Sequence, residues 1–575
     1  MKKYIILLIV LAGGLLNSCN ESDFLREKPK DFMSGNNSFI TEADFDMSIN
    51  ELYYLVRLEF FGRDEFYPFD YLFGTDLVFD GEPASIHRHS NMSAAYHPTS
   101  AVVKSHWDAF YLIIAQANTV ISRLPSSALT PEQQKMFEAK ARFFRGLSYR
   151  SLVYLYGGVP VVLEEVTSPK TDYVRESKEN TLKQAIEDVK YAAENLKDIA
   201  AVQDGEISSA AAYHLLSELY IAAGQYQEAV NAANRVIDNP ALKLMQNRFG
   251  TRATEQPGDV YWDLFRKNNQ NRGSGNTEGI WVIQFEVNLP GGGSSTSDVK
   301  APGNFQLERH HAPMVRDVRL NGKSPFRWPI GDYTGGRGIG WAPSTRYFTN
   351  TIWESDFDND IRNANHNFVR KFPVTNPDFK SEFGIDSIST ENPPQGMITG
   401  MSNSTQVPGR YFYAYQTKCT TPYNHPAEVY DNPAIFSLKS TAGVTFTDQY
   451  LFRFAETYLL RAEAYLMTGE SAKAAEDINM VRTRANAKSI TAGEVTLDYI
   501  LDERMRELGI EEKRRLTLMR MGKLYDRVKK CNPYYANAET NGDGVGMLEK
   551  YNVWPIPHSV IEANSDAVLE QNTGY

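Results

Sequence analysis

The groups in this chain of 575 residues that could carry chemistry are its ten histidines, its scattered carboxylates and two glycine-rich runs, Gly291 to Gly293 and Gly335 to Gly340. None falls into a catalytic pattern. The histidines include no H-E-x-x-H metal helix, and neither G-x-S-x-G nor G-x-G-x-x-G occurs. Gly322-Lys323-Ser324 ends like a phosphate loop, but Asp317 stands where the upstream glycine belongs. Glu164-Glu165 offers carboxylates, yet a glycosidase needs two of them across a cleft at a set separation, and adjacency in sequence does not supply that. Asp356, Asp358 and Asp360 alternate, and Asn537, Glu539 and Asn541 before Gly542 resemble the start of a calcium loop. The twelfth position, however, is Leu548, and Glu549 comes one residue late. A solvated face or a helix cap accounts for both acidic runs. The expectation is a non-catalytic protein with no cofactor and no metal.

Binding chemistry is better represented. Aromatic residues make up 12% of the chain, with 32 tyrosines and 7 tryptophans. A planar ring can lie on a sugar or a peptide side chain, while an arginine fixes orientation through hydrogen bonds. The expected ligand contacts are Trp328, Tyr333, Trp341, Tyr347 and Tyr96, with Arg88 and Arg337 as polar partners. Trp328 and Trp341 flank the second glycine-rich run in polar sequence, which favours exposure. For each of these residues core packing is the competing account. Trp107 and Trp281 fit a helix stripe and a strand, and they are expected in the core together with Trp554.

Helix hairpins must position these groups. From Glu206 to Asn239, Ile207, Ala211, Leu215 and Leu219 form one apolar stripe, Gly224 breaks it, and Ala229, Val230, Ala233 and Val236 resume it up to Asn239-Pro240. Tyr213, Tyr220, Gly224 and Ala229 recur as Tyr458, Tyr465, Gly469 and Ala474, each displaced by 245 residues. This is a tetratricopeptide-like pattern, whose hairpins need stacked neighbours to cover their apolar faces. The spacing further predicts helices over 41–58, 105–124, 131–156, 181–196, 446–467, 471–487, 497–509 and 511–530. The fold class expected is mainly α, about four tetratricopeptide-like hairpins forming a scaffold, with a long, irregular, partly β insert.

Residues 1–18 read as a signal peptide: Lys2-Lys3, then an apolar run from Tyr4 to Leu16 too short to cross a bilayer of about 30 Å. Leu16-Asn17-Ser18-Cys19 resembles a bacterial lipobox, which makes Cys19 the lipidation site; attached acyl chains would anchor the protein stably. Asn20-Glu21-Ser22-Asp23 resembles a surface-export signal. Residues 19–40 are expected to form a lipidated N-terminus and tether, 41–240 an N-terminal helical half with an irregular loop over 62–100, 241–445 the insert and ligand-binding face, and 446–575 C-terminal helices with an extended tail. A net charge of −11 argues against a nucleic-acid partner and against an anionic membrane surface, leaving the lipid as the attachment. Three cysteines cannot build a disulfide framework, and with Cys19 accounted for only Cys419 and Cys531 are left to pair.

Several segments together resemble the SusD/RagB family of outer-membrane nutrient-binding lipoproteins. They are Phe24-Leu25 and Lys28-Pro29 after the lipobox; Ala139-Lys140-Ala141 with Arg145, Tyr149 and Tyr156-Gly157-Gly158-Val159-Pro160; Asp502-Glu503-Arg504 with Glu507-Leu508, Arg514-Arg515 and Arg520; and Trp554-Pro555-Ile556-Pro557 with Asn564 and the ending Gln571-Asn572-Thr573-Gly574-Tyr575. Thr517 departs from the family, which often has aspartate there. The resemblance implies a surface lipoprotein that captures a nutrient polymer, glycan or peptide, and delivers it to a SusC-like TonB-dependent transporter at the outer membrane, facing the cell exterior. A secreted tetratricopeptide scaffold for protein partners and a surface hydrolase are the rival readings.

Overall fold

The computed structural model describes residues 39–81, 89, 91–289, 293–296, 303–327, 334–399, 409–420, 425–536 and 546–575. In chain order its principal helices are α1 (Glu42–Phe61), α2 (Ala101–Arg123), α3 (Pro131–Tyr156), α4 (Lys178–Asn195), α5 (Ser209–Ala222), α6 (Tyr226–Ile237), α7 (Leu307–His311), α8 (Phe454–Met467), α9 (Ser471–Arg484), α10 (Leu497–Glu507), α11 (Arg514–Arg520) and α12 (Leu524–Cys531). The protein is mainly α, as the periodicity predicts.

Local chemistry fixes the helix ends. The backbone N–H of Thr41 donates to Asp44 Oδ2 at 2.8 Å at the start of α1. α2 begins four residues before the predicted start because the Ser100 side chain accepts from Val102 N at 3.2 Å. Gly224 and Gly469 close α5 and α8 at φ +72° and +81°, a conformation that favours glycine.

The related hairpins α5–α6 and α8–α9 pack on each other. His214 Nδ1 lies 2.8 Å from Thr457 Oγ1, and Arg461 donates to Asn234 Oδ1 at 2.7 Å. α3 and α4 approach closely at Gly146, where a Cβ would lie 2.5 Å from Val189 Cγ2. Arg145 clamps that contact through two hydrogen bonds to Asp188, at 2.8 and 2.7 Å, with both side chains buried. The tail motif knits onto the end of α3. Trp554 N donates to Leu155 O at 2.6 Å, and the Asn572 amide donates to Tyr156 O and Trp554 O. Trp107, Trp281 and Trp554 are all buried, as expected.

Two helical expectations are corrected. Residues 446–467 are not one helix: Gln449–Arg453 is a strand, with Tyr450 and Phe452 turned inward, and it pairs antiparallel with Gly279–Ile283 (Gly279↔Arg453, Val282↔Tyr450). Residues 511–530 are split between α11 and α12 by Gly522, at φ +64°. The insert also contains the antiparallel pairs Phe368–Val369 with Tyr415–Gln416, Lys371–Pro373 with Ser387–Ser389, and Tyr430–Asn432 with Ser437–Leu438. Cys419 and Cys531 are free thiols, both buried, so they do not pair.

A buried ionic seam binds the insert to the C-terminal helices. Glu507 accepts from Arg453 at 2.6 Å, from Arg362 at 3.1 Å and from Arg484. Glu503 accepts from Arg362, Arg482 and Arg506 at 2.8, 2.9 and 2.7 Å. Glu278, just ahead of the insert's first strand, accepts from Arg453 at 2.9 Å and Arg484 at 2.5 Å. The Asp502-Glu503-Arg504 and Glu507-Leu508 segments therefore work as structural clamps. Thr517 joins a neighbouring cluster, its hydroxyl donating to Glu512 Oε1 at 2.8 Å.

Candidate functional site

The second glycine-rich run is drawn into a strap between α7 and the N-terminal loop. Ile339 N and Gly340 N both donate to Arg309 O, at 2.8 and 3.1 Å, and Ala342 N donates to His310 O at 2.7 Å. On the other side Gly81 N donates to Trp341 O at 2.8 Å and Thr345 N to Leu77 O at 2.8 Å. Glycine is required at position 340: φ is +71° and a Cβ would lie 2.1 Å from Arg410 O.

This strap sets Trp341 on a fixed backing. Its ring centroid is 5.1 Å from Phe66 and 5.1 Å from His310, with the Arg309 guanidinium 5.2 Å away over the ring. His310 in turn stacks on Phe69 at 3.7 Å. The tryptophan is only partly buried, so one part of the indole is backed by aromatics and part meets solvent. Arg337 lies four residues away on the same strap, its backbone N–H donating to Glu308 Oε1 at 2.8 Å. Burial, with Arg309 nearby, lowers the Arg337 guanidinium to about 10, and it stays cationic at neutral pH. The carboxylates here are engaged: Glu308 also meets His425 Nε2 at 3.0 Å, and Glu65 accepts from Arg309 at 3.4 Å. A rigid, partly buried indole beside a guanidinium can stack on a ring and hold it by hydrogen bonds.

Trp341 and Arg337 thus lie on one strap, each partly buried. Tyr347 stands apart from that patch, on a short helix (Arg346–Thr349) against α10 and α12. Its hydroxyl donates to both Asp502 oxygens, at 3.2 and 3.0 Å, and Arg527 lies 5.2 Å from its ring centre. Tyr96 is corrected to a core residue: it is 1% exposed, stacked 5.6 Å from Trp554, with its hydroxyl 2.9 Å from His89 Nδ1. The buried His89, Asp70 and His106 drew the loop around Tyr96 inward, a pairing not visible in its sequence. Trp328, Tyr333, Arg88 and Cys19 lie outside the described residues, as do Asn537, Glu539, Asn541 and Gly542. The backing residues Phe66, Arg309 and His310 are not among the expected contacts: Arg63-Asp64-Glu65 and Glu308 make their sequence polar too, but no glycine-rich run marks them out.

The other suspected chemical groups are occupied in structural roles. Glu165 takes a two-pronged ion pair from Arg123 at 2.7 and 2.8 Å. Asp360 caps the turn Ile361–Asn363 and pairs with Arg362, and Asp356 accepts from Lys488 N. Among the described residues no cluster of three or more histidine, cysteine or carboxylate side chains is arranged to hold a metal ion, and no helix is long and apolar enough to cross a membrane.

A scaffold of stacked, tetratricopeptide-like helix hairpins carrying an irregular, partly β insert defines the class of protein by its fold. Within that class the chain belongs to the SusD family, whose model matches residues 277–575; a second model, described as starch-binding and associating with the outer membrane, matches residues 23–221. A SusD-like protein of Formosa agariphila, P25, is 24% identical, with 97% of both chains covered. The starch-binding protein SusD of Bacteroides thetaiotaomicron is 37% identical over 129 residues, 22% of each chain. Among solved structures, a laminarin-binding SusD-like protein matches with TM-score 0.66 at 21% identity over 93% of this chain and all of its own. Surface glycan-binding protein A of Bacteroides fluxus matches with TM-score 0.64 at 17% identity, again over 93% of this chain and all of its own. These likenesses establish the fold.

Proposed function

We propose that this protein captures a glycan at the cell surface and hands it to a SusC-like TonB-dependent transporter without altering it. The observation that carries this reading is the end-to-end likeness to proteins described as laminarin-binding and surface glycan-binding. The Trp341 and Arg337 patch supplies fitting chemistry, because an indole face stacks on the C–H face of a sugar and a guanidinium donates to its hydroxyls. Catalysis is left out of the proposal because Glu308 and Glu65 beside the patch are held in ion pairs and hydrogen bonds rather than poised as an acid and a base. Trp328, Tyr333, Tyr347 and Arg88 are further contacts proposed on their residue types, and an acyl group on Cys19 holds the protein at the outer membrane facing outward.

Affinity electrophoresis of the lipid-free protein through gels containing single polysaccharides tests the cargo. Retardation by at least one glycan supports the reading; retardation by none, with binding to casein-derived peptides instead, would replace glycan by peptide. Co-purification of the native lipoprotein with an outer-membrane barrel tests the handover. Release of a Cys19→Ser variant from the membrane fraction tests the anchor.

A further inference from the structure

Away from the Trp341 patch, a groove of about 540 Å³ runs between α1, the loop after α4 and the insert's first strand. One face of α1 lines it: Asp46, Asn50, Tyr53, Tyr54 and Arg57 recur at helical spacing. This face adjoins the stripe of Phe45, Leu52, Leu55 and Val56 that α1 buries in the core, and the buried Ile49 lies on both. Tyr54 is 40% exposed, and among the described residues no ring contact or hydrogen bond engages its side chain. Tyr53 is fixed beside it, its hydroxyl accepting from Ile207 N at 2.9 Å. Arg57 is held against the Phe285 ring at 4.3 Å and donates to Gly303 O at 3.3 Å. Gln284 and Lys140 close the opposite wall.

We infer that this groove is a second glycan subsite, for a neutral oligosaccharide, with Tyr54 as the stacking platform and Asn50, Arg57 and Gln284 as hydrogen-bonding partners. It rests on the glycan-capture reading above. A polyol presents a C–H face for a ring and, around its edge, hydroxyls that both donate and accept, and this wall alternates amides, a guanidinium and carboxylates about one exposed ring. Charge favours a neutral chain. Lys140 is drawn to Glu206 at 3.7 Å and Arg272 to Asp204 at 3.4 Å, which leaves Asp46 against Arg57 and no net positive charge to hold a uronate or sulfated chain. From Arg57 the chain runs on in α1 to Phe61 and then to Phe66, which touches Trp341. At about 1.5 Å per helical residue and at most about 3.5 Å per extended one, Arg57 and Phe66 are within about 24 Å. One polymer can engage both places, and the second contact then adds affinity through effective concentration.

The test is affinity electrophoresis on laminarin, starch and galactomannan, which are neutral, and on alginate and chondroitin sulfate, which are anionic. The native chain is compared with an Asn50→Ala/Tyr54→Ala double variant and with Trp341→Ala. Asn50 and Tyr54 are exposed, so an unchanged thermal melt is expected for the double variant and serves as the fold control. The expected result is at least a fivefold rise in Kd of the double variant for whichever neutral polymer retards the native chain. Native-like retardation of the double variant, with loss confined to Trp341→Ala, would overturn the subsite and leave glycan capture standing. Weakening seen on the anionic polymers alone would overturn the neutral assignment. Retardation of the native chain by none of the five would remove the capture reading and the subsite with it.

Discussion

Arg453 and Glu507 meet at the seam between the insert and the C-terminal helices, Nη1 to Oε1 at 2.6 Å, with both side chains wholly buried. Arg453 ends the strand that pairs with the insert, and Glu507 ends α10, so this one contact couples the part that holds the aromatic patch to the helices behind it. Removing one partner of such a pair leaves a charge buried without compensation, which costs about 3–5 kcal/mol. Glu507→Gln is therefore expected to lower the unfolding free energy by that amount, read as a lower midpoint in chemical unfolding. A Glu164→Gln change on the exposed surface should leave it unmoved.

Acid should weaken the same architecture. Burial opposes charge on Glu503, but Arg362, Arg506 and Arg482 overcome it and hold the carboxyl at about 2; Arg514 and Arg527 do the same for the buried Asp76, also at about 2. Both values lie below the unfolded range of about 4, so the stabilisation is complete above that range and is lost as pH falls from about 4 through 2, on the order of 2–3 kcal/mol each. His106 acts with the opposite sign. Burial disfavours its charge, yet Glu59 and Asp70 on either side raise it, so its contribution is present at low pH and declines as pH rises through its folded value above 6.5. Thermal melts from pH 2 to 9 should show a steep loss below pH 4 and a shallow decline on the alkaline side.

Trp341→Ala removes the partly buried ring while leaving Phe66, Arg309 and His310 in place. Stacking of this kind is worth about 0.5–1.5 kcal/mol, so the Kd for a retarding glycan should rise roughly twofold to twelvefold. Titration calorimetry reads this directly, and an unchanged Kd would remove Trp341 from the contact surface.

Tyr96 makes the contrasting case. Tyr96→Phe takes away the hydroxyl that meets His89 Nδ1 and leaves a buried polar atom unmatched, a loss of about 1–3 kcal/mol. The melting temperature should fall while glycan affinity stays as in the native chain. Loss of affinity with no loss of stability would return Tyr96 to the binding surface.

The helical scaffold was legible in the amino-acid order because its information is local. Stripes such as Leu215 and Leu219, breakers such as Gly224 and the recurrence 245 residues later report a hairpin without any knowledge of distant partners. Gln449–Arg453 was read as helix because its apolar residues continue those of α8, and only pairing with Gly279–Ile283 makes a strand of them. Trp341 could be marked from its polar, glycine-rich context. That Phe66, from a loop over 270 residues earlier, backs its ring could not, since the contact spans the chain and leaves no periodic trace. The same limit applied to Tyr96, where exposure depended on which buried histidines and carboxylates gathered around it. Spacing thus determined the framework and the kind of binding chemistry available; which rings stay at the surface was decided by long-range packing, because burial is a property of neighbours in space.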